Sequence, residues 1–214
     1  MAQTVLVGGT VVPVDADRRV LDPGAVAVDG DTIVAVGPRD QVLADHPDAE
    51  RIDLADHVLL PGLVDSHGHA GHSLTKNLLD GAGDDWLDLV KEIYFEGSGT
   101  GFWRAESRLA ALERLRAGVT TSLSYVGSMP RVDDPKFATA AATGYREFGL
   151  RHVVAVGPPD GLPVDCADPD AGTETTIDLD RAMATTEAVV DELDGAEDGR
   201  LSVAVAPSSL VPDI

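Results

Sequence analysis

Over residues 1–58 the apolar positions fall in short runs that Gly, Pro and Asp interrupt: TVLVGGTVVPVD, GAVAVDGDTIVAVG and RIDLADHVLL. Short apolar runs bounded by turn formers predict strands, and Asp29-Gly30-Asp31 between two of them is a hairpin signal. This stretch is expected to be a small all-β domain of roughly four to six strands. After Pro61-Gly62 the rhythm changes to strands alternating with helices. LVDS, VTTSLSYV, RHVVAVG and LSVAVAP predict strands at about 63–66, 119–124, 151–156 and 201–206. The intervening helices are expected in GDDWLDLVKEIYFEG, FWRAESRLAALERLRAG, PKFATAAATGYREFG and DLDRAMATTEAVVDEL.

Details of these helices carry further expectations. Acidic residues in the first turn of the first helix suit the positive end of its dipole. In the second, Ala105, Leu109, Leu112 and Leu115 share one face, and Gly118 fits the position just past the end. In the last, Leu179, Met183, Thr186, Val190 and Leu193 recur at helical spacing, with Met183 expected as core filler. Residues 157 to about 177, rich in Pro, Gly and Asp, are expected to be a loop. Alternating strands and helices imply parallel βαβ units and an α/β fold. Four such strands are half of the eight that a closed barrel needs.

Composition narrows the partners. Thirty-seven acidic residues face 16 basic ones, for a net charge of −21, and the lysines are Lys76, Lys91 and Lys136. A chain without a basic stripe is expected to bind neither nucleic acid nor an anionic membrane surface. The acids are dispersed rather than gathered in a tail, a pattern that fits a halophilic protein in high salt, where screening weakens self-repulsion. A single cysteine, Cys166, rules out an internal disulfide and suits a reducing compartment. MAQTVLVGGTVV lacks the basic leader and apolar segment of a signal peptide, and no uncharged apolar run is long enough to span a bilayer. A soluble cytoplasmic protein is the expectation.

The chemistry concentrates in PGLVDSHGHAGHSL. Residues i and i+2 of a strand point to one side, so His67 and His69 at the carboxyl end of GLVDS aim their imidazoles together. Gly68 keeps the space between them clear. In α/β proteins that strand end carries the active site, and two imidazoles are half of a tetrahedral zinc site. His72 makes the spacing HxHxxH. That spacing is also similar to the HxHxDH of metallo-β-lactamase-like hydrolases, but Gly71 stands at the aspartate position. Asp65 is a candidate to orient a ligand, with an ordinary strand-end hydrogen bond as its other reading. His46, His57 and His152 are expected to be structural or surface residues, His152 because it opens its strand.

LLPGLVDSHGH resembles the signature PG-[LF]-[VI]-[DN]-[TS]-H-x-H of the amidohydrolase superfamily, and GAVAVDGDTIVAVGP resembles the strand pair that precedes it there. The Trp-Leu pair of DDWLDLVKEIYFEG and the segment ALERLRAGVTTSLSYVG resemble the branch of deaminases and triazine chlorohydrolases. GRLSVAVAPSSL stands where that branch has its fourth barrel strand, with Ser208 in place of the histidine of the common A-P-H pattern. The resemblance implies the front half of a (β/α)8 TIM barrel over residues 59–214, preceded by residues 1–58 as part of a composite β-sandwich domain. It implies one divalent metal, zinc or iron(II), held in part by His67 and His69. That metal would make a water nucleophilic. The water would attack a ring carbon of an N-heterocycle bearing an amino or halogen leaving group. His72 and Trp86 are then candidates to face the substrate, and the remaining ligands and the acid–base groups are expected beyond residue 214. The alternative is a catalytically incomplete half barrel that needs a C-terminal half or a partner. Exposed sheet edges would favour association with another chain, as a homodimer.

Overall fold

A computed structural model describes residues 3–78, 80–81, 83–126 and 131–207. The chain divides into two compact units, residues 1–62 and 63–214.

The first unit holds β1 (Thr4–Val11), β2 (Gly24–Asp29), β3 (Thr32–Pro38), helix α1 (Arg39–Asp45) and β4 (Glu50–Leu59). They form one sheet in the order β3-β2-β1-β4, antiparallel except for the β1–β4 pair. The expected hairpin is the β2–β3 turn, where Asp29 pairs with Thr32 and Gly30 takes a left-handed φ of 62°. Helix α1 sets Val42 against Val5, Ala25 and Ala27, and these four are the core of the unit. Among the described residues the unit is therefore a single sheet with a helix, where two facing sheets were expected. Its boundary lies after Gly62 rather than at residue 58, because β4 stays paired with β1 up to Leu59.

The second unit is α/β. Strands β5 (Leu63–Asp65), β6 (Val119–Tyr125), β7 (Arg151–Val156) and β10 (Leu201–Val205) make an all-parallel sheet in the order β10-β7-β6-β5. Helices α3 (Thr100–Arg116), α4 (Pro135–Phe148) and α5 (Leu179–Leu193) cross between successive strands, as parallel pairing requires. Local signals start and stop them. Asp134 and Asp178 accept backbone N–H bonds at the N-termini of α4 and α5, and Gly149, at φ 70°, ends α4.

Four expectations change. The first helix is a 3₁₀ turn (Gly83–Asp85), helix α2 (Trp86–Lys91) and a π-helical turn (Glu92–Gly97). The wider turn buries both Tyr94 and Phe95, and the Tyr94 carbonyl accepts from Ser98 Oγ at 2.7 Å and Arg131 Nη1 at 2.6 Å. The buried face of α3 is Trp103, Glu106, Ser107, Ala110 and Ala111, leaving Leu112 exposed. The reason is the close approach of α4: a Cβ on Gly144 would lie 2.2 Å from the Ser107 carbonyl carbon, a contact that only small residues permit. On α5, Ala182, Thr185, Thr186, Val189 and Leu193 are buried, while Met183 is 42% exposed and no core filler.

Finally, the expected loop at 157–177 contains an antiparallel hairpin, β8 (Val164–Asp168) and β9 (Thr173–Ile177). Period-two alternation lies beneath its turn-forming composition. Cys166 and Ile177 point inward and Asp165 and Thr176 outward, and Asp168 closes the turn by accepting from the Asp170 and Ala171 N–H groups. Burial pushes the Cys166 thiol up to about 12, so it behaves as a small apolar side chain. Among the described residues no helix is long and apolar enough to cross a membrane.

Candidate functional site

The segment after β5 continues along the end of β6. Tyr125 N–H donates to the Gly68 carbonyl at 2.9 Å, Ala70 N–H donates to the Tyr125 carbonyl at 2.7 Å, and His69 bridges Tyr125. The histidines therefore stand at the carboxyl ends of the parallel strands, where β-strand dipeptide geometry ends and loops begin. Tyr125 also reaches Pro207, just past β10, through its hydroxyl at 3.4 Å.

The rings form a connected series. His67 and His69 have centroids 5.0 Å apart at 76°, and His69 and His72 are 5.8 Å apart at 67°. His69 stacks on Tyr125 at 5.5 Å and 15°, and His72 meets Tyr94 edge-on at 6.0 Å. The Tyr94 hydroxyl lies 3.3 Å from His72 Nδ1. His67 is exposed, whereas His69 and His72 are half-buried. Burial lowers the His72 pKa, the His69 ring lowers it further, and the Glu106 carboxylate opposes both. Among the described residues this ring series does not include Trp86, which stands exposed at the start of α2.

Asp65, at the end of β5, accepts from Arg114 Nε at 2.9 Å. Arg114 also donates to Tyr145 Oη at 3.0 Å and Ser124 Oγ at 3.1 Å. Below the site His152 is fully enclosed, its Nδ1 2.8 Å from Ser122 Oγ and its ring flat on Tyr145 at 3.5 Å. Burial, with Arg114 adding to it, pushes its pKa down to about 3, so it is a neutral core residue. His46 pairs with Gln3 at 2.9 Å in the first unit. Ser208 lies outside the described residues.

Three neighbours of the histidines escaped the sequence reading: Tyr94, Glu106 and Arg114. Glu106 had a legible signal, because it follows Trp103 by three residues and precedes Ala110 by four, which places a carboxylate on the apolar face of α3. Among the described residues no group of three or more His, Cys, Asp or Glu side chains is placed to hold a metal ion.

Residues 24–49 match a family model described as the imidazolonepropionase-like composite domain of bacteria. The chain is 31% identical over 209 residues to a 5-methylthioadenosine/S-adenosylhomocysteine deaminase of Syntrophobacter fumaroxidans, covering 96% of this chain and 42% of that protein. A Symbiobacterium thermophilum protein of the same description is 34% identical over 170 residues, covering 73% and 34%. Among solved structures, a zinc-bound adenosine deaminase from Xanthomonas campestris superposes with a TM-score of 0.72 at 26% identity, over 96% of this chain and 43% of that one. Zinc-complexed atrazine chlorohydrolase from Arthrobacter aurescens shares the fold, with a TM-score of 0.69 at 22% identity over 95% and 46%. The chain thus spans less than half the length of the relatives it matches.

Proposed function

We propose that this chain, a member of the amidohydrolase superfamily on its deaminase and chlorohydrolase branch, is part of a metal-dependent hydrolase that deaminates an amino-substituted N-heterocycle. One observation carries the reading. Two imidazoles with ring centroids 5.0 Å apart stand just past the end of the first strand of a parallel sheet, in a chain 31% identical to a deaminase of adenine-bearing substrates. An adenosine derivative is accordingly the first substrate to test, and a halogenated triazine the second, on the fold likeness to the chlorohydrolase.

The donor chemistry at the strand end fits a zinc-type ion, since imidazole is a preferred zinc ligand and His67 and His69 supply half of a tetrahedral set. When bound there, a divalent metal supplies Lewis acidity that makes water nucleophilic near neutral pH. The residues of this chain orient and enclose. Tyr125 backs the flat face of His69, Tyr94 holds His72 toward the same end of the sheet, and Asp65 with Arg114 fixes the last residue of the strand before His67. His72 faces the heterocycle in this reading, and Trp86 is a more distant wall.

The architecture supports residues 63–214 as the first half of a barrel and residues 1–62 as one part of a composite domain. The outermost strands of the parallel sheet leave apolar residues uncovered, with Val64 on β5 67% exposed and Val205 on β10 60% exposed. Parallel sheets are ordinarily buried on both faces, so further strands at those edges account for them. The remaining ligands and the acid–base groups would come from those strands.

The test is metal content and deaminase activity of the full-length protein, wild type against His67→Ala/His69→Ala. Wild type should hold about one zinc per chain and release ammonia from 5′-methylthioadenosine or adenosine, and the variant should do neither. Unchanged metal content in the variant, or no turnover of any aminated purine, pyrimidine or triazine by wild type, overturns the reading.

A further inference from the structure

The segment that carries the histidines is poorly held by its own backbone. Past the single bridge at His69 it runs as irregular turns through Leu74. Beyond the contacts of its rings with Tyr94 and Tyr125, it is anchored from α3. Glu106 is fully buried, and its two carboxylate oxygens accept one backbone N–H each, from Ser73 at 2.9 Å and Leu74 at 2.6 Å. Arg114, farther along the same helix, holds the other end of the segment through Asp65. Its Nη2 lies 2.6 Å from where a Cβ on Gly68 would stand, so the guanidinium occupies the space beside the residue between His67 and His69. On the surface, Glu113 pairs with Lys76.

Packing alone gives no reason for a glutamate at position 106, whose helix neighbours on the buried face include Trp103, Ala110 and Ala111. Burying a carboxylate is costly unless its oxygens are paired, and here both pair with the histidine segment. Charge-assisted bonds of this kind are about twice as strong as neutral ones, and they fix direction as well as distance.

We propose that Glu106 and Arg114 are positioning residues which clamp the segment from either end and so set the backbone path on which His67 and His69 converge. The proposal rests on the reading that this pair holds a metal. Neither residue touches the reacting atoms. Their effect is on how well the two imidazoles are pre-arranged, and loss of such outer support typically weakens metal binding about 10- to 100-fold.

The experiment compares full-length wild type, Glu106→Gln, Arg114→Lys and Arg108→Gln, the last altering an exposed α3–α4 ion pair away from the segment. Zinc affinity is read by competition with a chromogenic chelator, and amide exchange is read in the zinc-free protein. Glu106→Gln should weaken zinc about tenfold or more and speed exchange across residues 70–76, with β6 and β7 exchanging as in wild type. Arg114→Lys keeps the charge but cannot reach Asp65, Ser124 and Tyr145 together, and should weaken zinc likewise. Arg108→Gln should match wild type in both. Wild-type zinc affinity in the Glu106 and Arg114 variants overturns the proposal, and so does weakened zinc with unchanged exchange at 70–76. If Glu106→Gln does not fold, wild type still decides. The Ser73 and Leu74 amides should exchange as slowly as strand amides if Glu106 holds them, and fast exchange there overturns the clamp. If His67→Ala/His69→Ala keeps its zinc, the metal reading fails by itself, while the exchange measurement still reports on the clamp.

Discussion

Within the second unit, His152 shows how a histidine can be spent on structure. Its ring is sandwiched on Tyr145 and bonded to Ser122, and it stays neutral because burial holds its pKa near 3 against 6.5 for an ordinary histidine. The consequence for stability has a definite sign. Between those values the unfolded chain binds a proton that the folded chain refuses, so stability is complete above about pH 6.5 and is lost as the pH falls toward about 3. At pH 5 this one residue removes about 2 kcal/mol, before most carboxylates begin to titrate. Chemical denaturation at pH 7 and pH 5 should show that loss in wild type and a markedly smaller one in His152→Phe. An equal loss in both would mean that the ring is protonated inside the fold.

At the level of elements, the second unit is tied together by one buried cation. Arg131 is fully enclosed and pairs with Asp133 at 2.7 and 3.1 Å. It also donates to the Tyr94 carbonyl of the π-helical turn, to the Ser98 carbonyl just past it and to the Ala167 carbonyl of β8, with its guanidinium 4.0 Å over the Phe137 ring on α4. Three elements with no backbone ladder in common thus meet on one side chain. Removing it leaves Asp133 as an uncompensated buried charge, at a cost of about 3–5 kcal/mol. Arg131→Met should lower the unfolding free energy obtained from urea denaturation by that amount, and Arg131→Met/Asp133→Leu should regain part of it. A double variant no better than the single one would show that the carbonyl bonds, and not the ion pair, dominate.

For the molecule as a whole, a net charge of −21 works against compaction at low ionic strength. The Debye length falls from about 10 Å at 0.1 M salt to about 3 Å at 1 M, which removes most repulsion between exposed carboxylates. The thermal midpoint should therefore rise by several degrees between about 0.1 M and 1 M KCl. A flat or falling curve would dissociate the acidic composition from salt tolerance.

The sequence by itself determined the elements whose residues act locally. The β2–β3 hairpin follows from Asp29-Gly30-Asp31, the four parallel strands from their apolar runs, and the ends of α4 from Asp134 and Gly149. The nearness of the His67 and His69 rings, 5.0 Å between centroids, could be read only as far as their spacing of two, since both stand past Asp65, the last residue of β5. Tertiary structure alone decided which face each helix buries. The leucine stripe of α3 lost to a stripe of small residues, since the approach of α4 at Gly144 excludes anything larger beside Ser107. It likewise decided that Pro- and Gly-rich residues 157–177 hold a hairpin, whose inward Cys166 and Ile177 are stabilised by burial rather than by propensity. The roles of Glu106, Arg114 and Arg131 belong to the same class. A charged side chain in a helix or loop looks solvated in one dimension, and only the packing of distant segments shows which backbone groups it must satisfy.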